Sequence, residues 1–242
     1  MQNVLVWDLE TIPDFALMAE SQKMTISKAR EISKVEFPRL PFHKIVCIGA
    51  VVCSRSAIGW KIESIGAPSI AERSEAELVE SFLNRIEELK PQLITFNGAS
   101  FDFPVLRYRA MAHKIGARIF QSKNYFNRYT EDAIDLCDVL ASFDARSKVS
   151  LDLTCKIMGL SGKSTGITGA DVEGYVSSGK IREVAEYCES DVVNTFRLWL
   201  RFELFRGILS PMEFEASEEN LKRFIGERLD SKPHLAGLIN AR

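Results

Sequence analysis

The sequence predicts a single mixed-sheet α/β domain on three observations. Short apolar runs near the N-terminus read as successive strands. Further short strands then alternate with amphipathic helices, and the chain closes on helical periodicity. Residues 3–9, built on Val4-Leu5-Val6-Trp7, form the first strand. Ile45 to Cys53 (IVCIGAVVC) forms a second, and the alternating WKIESI from Trp60 to Ile65 a third, so the three predict an antiparallel meander. Between the first two strands, about residues 11–44, lies a long insertion interrupted by Pro13, Pro38 and Pro41. Its middle, Phe15 to Val35, predicts one or two short helices, and insertions of this length in a compact domain are often functional.

Arg73 to Lys90 predicts an amphipathic helix with Leu78, Val79, Phe82, Leu83, Ile86 and Leu89 on one stripe. Pro91 precedes a fourth strand, Leu93 to Phe96, and Phe103 to Ile115 predicts the next helix. Ala133 to Leu140 reads as a fifth strand and Leu151 to Met158 as a helix. A glycine-rich loop, GLSGKSTGITG, runs from Gly159 to Gly169, ahead of a long helix from Val184 to Leu204. The polar stretch Pro211 to Arg242 predicts one helix, Ser217 to Leu229, and a loose end. The expected division is a domain over residues 1–206 and a helical extension over 207–242.

The 242 residues suffice for one substantial core; 46% are hydrophobic and 26% charged, as in ordinary soluble domains. No apolar run approaches the roughly 18 residues of a membrane helix, and Asp8 and Glu10 come too early for a signal-peptide core. A cytoplasmic protein without membrane association is the expectation. Cys47, Cys53, Cys137, Cys155 and Cys188 are odd in number and form no CxxC pair, so they read as small buried hydrophobes, not as a disulfide or zinc framework. A net charge of −2 argues against a long basic clamp on nucleic acid. An enzyme gripping a few terminal nucleotides through metal ions remains compatible with it.

The chemistry-bearing residues fall in three separated motifs. Asp8 and Glu10 (VWDLETIPD) alternate along the first strand and therefore project to one face. Gathered carboxylates raise each other's pKa unless a cation neutralises them, which predicts a divalent-cation site. Asp102 lies in FNGASFDFPVL, where Asn97-Gly98 marks a turn and Asp102 opens a helix; taken alone, this motif reads as a turn and a cap. Tyr187 and Asp191 (YCESDVVNT) are four apart on a predicted helix and share a face. If Asp191 holds a metal, the Tyr187 hydroxyl is placed to orient or help deprotonate a water. Magnesium prefers oxygen ligands and keeps waters for a phosphate, and paired ions suit in-line phosphoryl displacement. Asp135 and Asp138 do not share a strand face and read as structural, and His43 as a structural hydrogen-bonder.

DLET, NGxxFD and YxxxD, in this order and at these separations, resemble the DEDD superfamily of 3′–5′ exonucleases, tyrosine subclass, on a ribonuclease H-like mixed five- or six-stranded sheet flanked by helices. The chain is similar to stand-alone exonucleases that resemble the proofreading domain of family-B DNA polymerases, over about Asn3 to Leu200. That resemblance implies Asp8, Glu10, Asp102 and Asp191 as ligands of two Mg²⁺ or Mn²⁺ ions and Tyr187 as holder of the attacking water. Leu9, Thr11, Asn97 and Phe101 match positions that contact the terminal nucleotide, Phe101 reading equally as core. Lys163 of the glycine-rich loop reads either as a phosphate contact or as a solvated lysine. No histidine lies near Asp191, as the histidine subclass would require. Nothing after residue 206 is large enough for a polymerase palm, so a free-standing nuclease is expected. The implied activity is 3′–5′ hydrolysis of single-stranded DNA to nucleoside 5′-monophosphates. The alternatives are an exoribonuclease and a catalytically weak nucleic-acid-binding module; the C-terminal segment leaves a protein partner open.

Overall fold

The computed structural model describes residues 2–162 and 166–239. A single sheet carries the fold in the order β3-β2-β1-β4-β5, with β1 Asn3–Pro13, β2 His43–Ser56, β3 Gly59–Gly66, β4 Gln92–Thr95 and β5 Ala133–Asp135. β1, β2 and β3 form the expected antiparallel meander, and β4 and β5 run parallel to β1. Helices α1 (Phe15–Ser21) and α2 (Ile26–Ser33) occupy the insertion. α3 (Glu75–Leu89) follows β3 and α4 (Asp102–Ala112) follows β4. α5 (Leu136–Leu140), α6 (Leu151–Ile157) and α7 (Val172–Ser177) lead to the long α8 (Ile181–Phe205), and α9 (Pro211–Gly226) and α10 (Ala236–Ile239) complete the described chain.

Alternation along β1 divides the core between the two faces of the sheet. Val4 and Val6 pack with Val192, Val193, Phe196 and Trp199 of α8. Leu5, Trp7 and Leu9 pack on the other face with Phe82, Leu83 and Ile86 of α3 and Phe103 and Leu106 of α4. The Trp7 ring lies 5.0 Å from Phe82 and 4.9 Å from Phe103. Each such buried side chain contributes about 1.5–3 kcal/mol, so both faces are strongly specified. A one-residue slip of β1 would exchange them. Asp8 and Glu10 therefore continue the row of Val4 and Val6, toward α8.

Three sequence expectations change. The strand expected over Ala133 to Leu140 ends at Asp135, because the Asp135 carboxylate accepts from the Cys137 and Asp138 amides and starts α5. The helix expected from Ser217 begins at Pro211, where Ser210 and Glu213 form a reciprocal capping box. The loose end is, over its described residues, docked: Leu221, Ile225, Leu235 and Leu238 join the core of Trp199. Its polar composition concealed that apolar stripe. All five cysteines are buried and free. No helix among the described residues is long and apolar enough to cross a membrane.

Candidate active site

The acidic site is assembled where β1, β2, α4 and α8 meet. A β-bulge in the β1–β2 pairing lies between Glu10 and Thr11, a device that re-aims side chains at a strand end. Opposite Asp8 stands Gly49 of β2. A Cβ on Gly49 would lie 2.6 Å from Cys188 Sγ and 3.2 Å from the Cys188 carbonyl oxygen. The missing side chain is thus what lets α8 approach the sheet beside Asp8. Asp8, Glu10 and Cys188 bring ligand-type atoms within 4.8 Å of one another. Cys188 Sγ lies 3.8 Å from Asp8 Oδ2. Its thiol is pushed far up, first by a hydrogen bond with Cys47, then by burial and by neighbouring charges. In the metal-free protein it is therefore a neutral thiol beside the acids.

Asp102 enters from the opposite side of β1. β4 pairs with β1 only over Val4 to Val6; farther along, the Leu9 amide donates to Asp102 Oδ1 at 2.9 Å. Asp102 stands among the first residues of α4, where a carboxylate also meets the favourable end of the helix dipole. From α8, Tyr187 and Asp191 face the same site, and the Asp191 charge acts on the Tyr187 phenol. One open cavity of about 1020 Å³ is lined by Asp8, Glu10, Tyr187 and Asp191, with Thr11, Asn97 and Phe101 on its walls.

The other expected nucleotide contacts are placed with different freedom. Leu9 directs its side chain into the core and commits its amide to Asp102. The Thr11 hydroxyl bonds His43 Nδ1 at 2.9 Å. Asn97, at φ +67°, turns the chain after β4, and its side-chain oxygen accepts from Lys148 Nζ at 2.9 Å. Phe101 is half-buried against the α3–α4 core and reaches the cavity. Lys163 lies outside the described residues. Asp135 accepts from the Asn97 and Ala99 amides at 2.7 and 2.8 Å, fixing the turn that delivers Asp102, and Asp138 is buried against Arg128 and Lys148. Both are structural, as expected, and His43 makes the structural hydrogen bonds expected of it. Gly49 and the insertion residues Phe15, Arg30, Ser33, Lys34 and Phe37 that line the cavity were not singled out by sequence reading. A glycine inside the apolar run IVCIGAVVC was the available signal for the first; for the second, only the length of the insertion pointed there.

The electrostatics agree with a cation site. Asp8 is raised far above the usual carboxylate range, first by burial and then by Asp102, Glu10 and Asp191. Asp102 is pushed up to about 7 by burial, against the lowering effect of its backbone hydrogen bonds. The Tyr187 phenol is driven up by burial and by the Asp191, Glu10 and Asp8 charges, so it stays protonated at neutral pH.

A parallel-antiparallel five-stranded sheet with this acidic cluster at the carboxyl end of β1 defines a DEDD-type 3′–5′ exonuclease. The chain belongs to the family described as predicted 3′–5′ exonucleases related to the exonuclease domain of PolB, whose model matches residues 35–241. Asp8 and Glu10 lie ahead of that span, so they rest on the geometry described above. No curated protein matches the chain. Among solved structures it is similar to the family B DNA polymerase of the hyperthermophilic archaeon Pyrobaculum calidifontis, at 16% identity and a TM-score of 0.57, covering 96% of this chain and 29% of that one. It is also similar to E. coli exonuclease I in complex with a 5cy-dT13 oligonucleotide, at 14% identity and a TM-score of 0.40, covering 83% and 43%. The chain thus spans less than half the length of either protein. At 16% identity, the similarity to the polymerase shows the fold alone.

Proposed function

We propose that the protein removes nucleotides one at a time from the 3′ end of single-stranded DNA, releasing nucleoside 5′-monophosphates with the help of two Mg²⁺ or Mn²⁺ ions. The observation that carries this reading is the cavity in which Asp8, Glu10, Tyr187 and Asp191 meet, with Asp102 tied to the same strand. The donors fit hard divalent cations: all are carboxylate oxygens, and the like charges and burial that raise Asp8 are what a cation would relieve. Asp8, Glu10, Asp102 and Asp191 would hold the ions. Bound there, they supply charge stabilisation to the attacking and leaving oxygens of an in-line displacement.

The protein's own groups do the positioning. The Tyr187 phenol, protonated and on the cavity wall with Asp191, accepts a hydrogen bond from the attacking water and fixes its orientation. It is an orienting group, not a base. The water oxygen forms the new bond to phosphorus, the bond to the 3′-oxygen of the preceding nucleotide breaks, and the water's proton balances that leaving oxygen. The Leu9–Asp102 hydrogen bond holds α4 against β1 during turnover. We assign the catalytic unit to residues 1–206, with the insertion at about 11–44, and the extension that follows it carries α9 and α10.

Release of a 3′-terminal label tests the reading. Magnesium or manganese should support release from an all-deoxy strand, and chelation should stop it. Absence of release with either metal, or full activity in Asp191→Ala, would sink the nuclease assignment. Faster release from an all-ribo strand of the same sequence would move the substrate to RNA.

A further inference from the structure

The exonuclease chemistry leaves one wall of the cavity without a role: the insertion between β1 and β2, which contributes Phe15, Arg30, Ser33, Lys34 and Phe37. Phe37 stands out because it is 69% exposed yet held in place. Its ring centroid lies 5.0 Å from His43 and 5.8 Å from Phe101. His43, 3% exposed, meets Thr11 Oγ1 through Nδ1 at 2.9 Å and the Pro38 carbonyl through Nε2 at 3.0 Å. The turn carrying Phe37 is thereby tied to the residue beside Glu10. The insertion is anchored twice more. Lys44 pairs with Asp14 at 3.0 Å, and the Asp14 amide donates to the Phe42 carbonyl at 2.6 Å. Across the cavity, Arg30 Nη1 meets Glu173 Oε1 of α7 at 2.8 Å. A solvent-facing aromatic ring on a segment fixed at three places is presented to the cavity, not left over at a frayed loop.

We infer that Phe37 is a stacking platform for the unpaired base of the substrate's terminal nucleotide, and that His43 is the positioning residue that sets its ring. The inference rests on the exonuclease reading and extends it to a binding subsite built by the insertion. Nucleobases suit this wall because every base offers an apolar π-face, and stacking on aromatic rings is sequence-tolerant. The Phe37 and Phe101 planes lie 58° apart, so they form no parallel slot; the base rests on the outer face of Phe37. Lys34, which lines the same cavity, adds positive charge there, where a nucleotide's phosphate can lie.

An oligodeoxynucleotide ending in 2-aminopurine, its last linkage a phosphorothioate that resists hydrolysis, tests this in the presence of magnesium. The wild-type protein should quench the terminal fluorophore on binding. Phe37→Ala should bind about 10-fold or more weakly, the scale of one lost base–aromatic stack, and lose the quench; Phe37→Trp should restore both. With an abasic 3′ terminus, wild type and Phe37→Ala should bind alike. Equal weakening of both strands by Phe37→Ala, or an unchanged quench in that variant, overturns the inference while leaving the nuclease reading standing. Failure of the wild type both to bind either strand and to release a 3′ label overturns the nuclease reading, and this inference with it.

Discussion

Glu189 on α8 and Asp8 on the β1 strand that α8 packs against are both acids at one junction, yet their carboxyl groups are held in opposite ways. Glu189 is buried, and burial alone would raise it. Hydrogen bonds and charge from His234 and Lys232 overcome that and hold it below the usual range. Asp8 is half-buried, and beyond its desolvation the neighbours that act on it are Asp102, Glu10 and Asp191, so it moves far upward. The same residue class at one helix–sheet junction thus makes a structural tie on α8 and part of the candidate cation site on β1. A carboxylate matched by a protein cation stabilises the fold, whereas one set among like charges is held there for a ligand to neutralise.

Removing one acid from each centre should separate the two roles most sharply. Asp8→Asn is expected to lower kcat by about 100- to 1000-fold, the scale of losing a charged group at a reacting centre. Its melting temperature should hold or rise, because like-charge repulsion is relieved. A steady-state assay beside a thermal melt checks both, and a destabilised Asp8→Asn protein would break the comparison. Glu189→Gln should do the reverse. It is expected to cost on the order of 3 kcal/mol of stability, the low end for breaking a buried pair because the Lys232 side chain is 21% exposed. Activity per folded molecule should be retained, and urea unfolding reads the loss.

Smaller effects sharpen the picture. Tyr187→Phe should lower kcat about 10-fold, roughly one hydrogen bond's worth, with KM little changed, since the phenol acts on the water and not on the strand. Equal losses in kcat and affinity would contradict that role. A pH dependence sharpens it further. Burial pushes the Asp102 carboxyl up to about 7, well above the usual aspartate range. Folding therefore takes up a proton between those values, and the stabilising contribution is lost as pH rises through about 7. In chelator, the melting temperature should fall across that range, Asp102→Asn should flatten the slope, and added magnesium should recover stability by mass action. A flat wild-type profile would show that the acids are not strained in the cation-free protein.

How much was legible follows the range of each interaction. The meander, the stripe of α3 and the long α8 are written in periods of 2 and 3.6 residues, which adjacent side chains enforce. The same periods put Asp8 beside Glu10 and Tyr187 beside Asp191. The strand expected through Leu140 failed because a side-chain cap at Asp135 outcompeted an apolar run. The C-terminal segment was misjudged because its few apolar residues sit on one stripe within a polar sequence.

The sequence by itself determined the pairs within each motif, since those depend only on covalent spacing and local helix or strand geometry. Only the tertiary structure decided that Cys188 would lie against Asp8, 180 residues away, that Gly49 would open the approach, and that His43 would turn Phe37 to the cavity. It also decided which buried acid received Lys232 as its counter-ion. Contacts of that kind are set by how two packed faces of one sheet bring distant segments together, and no local pattern encodes them.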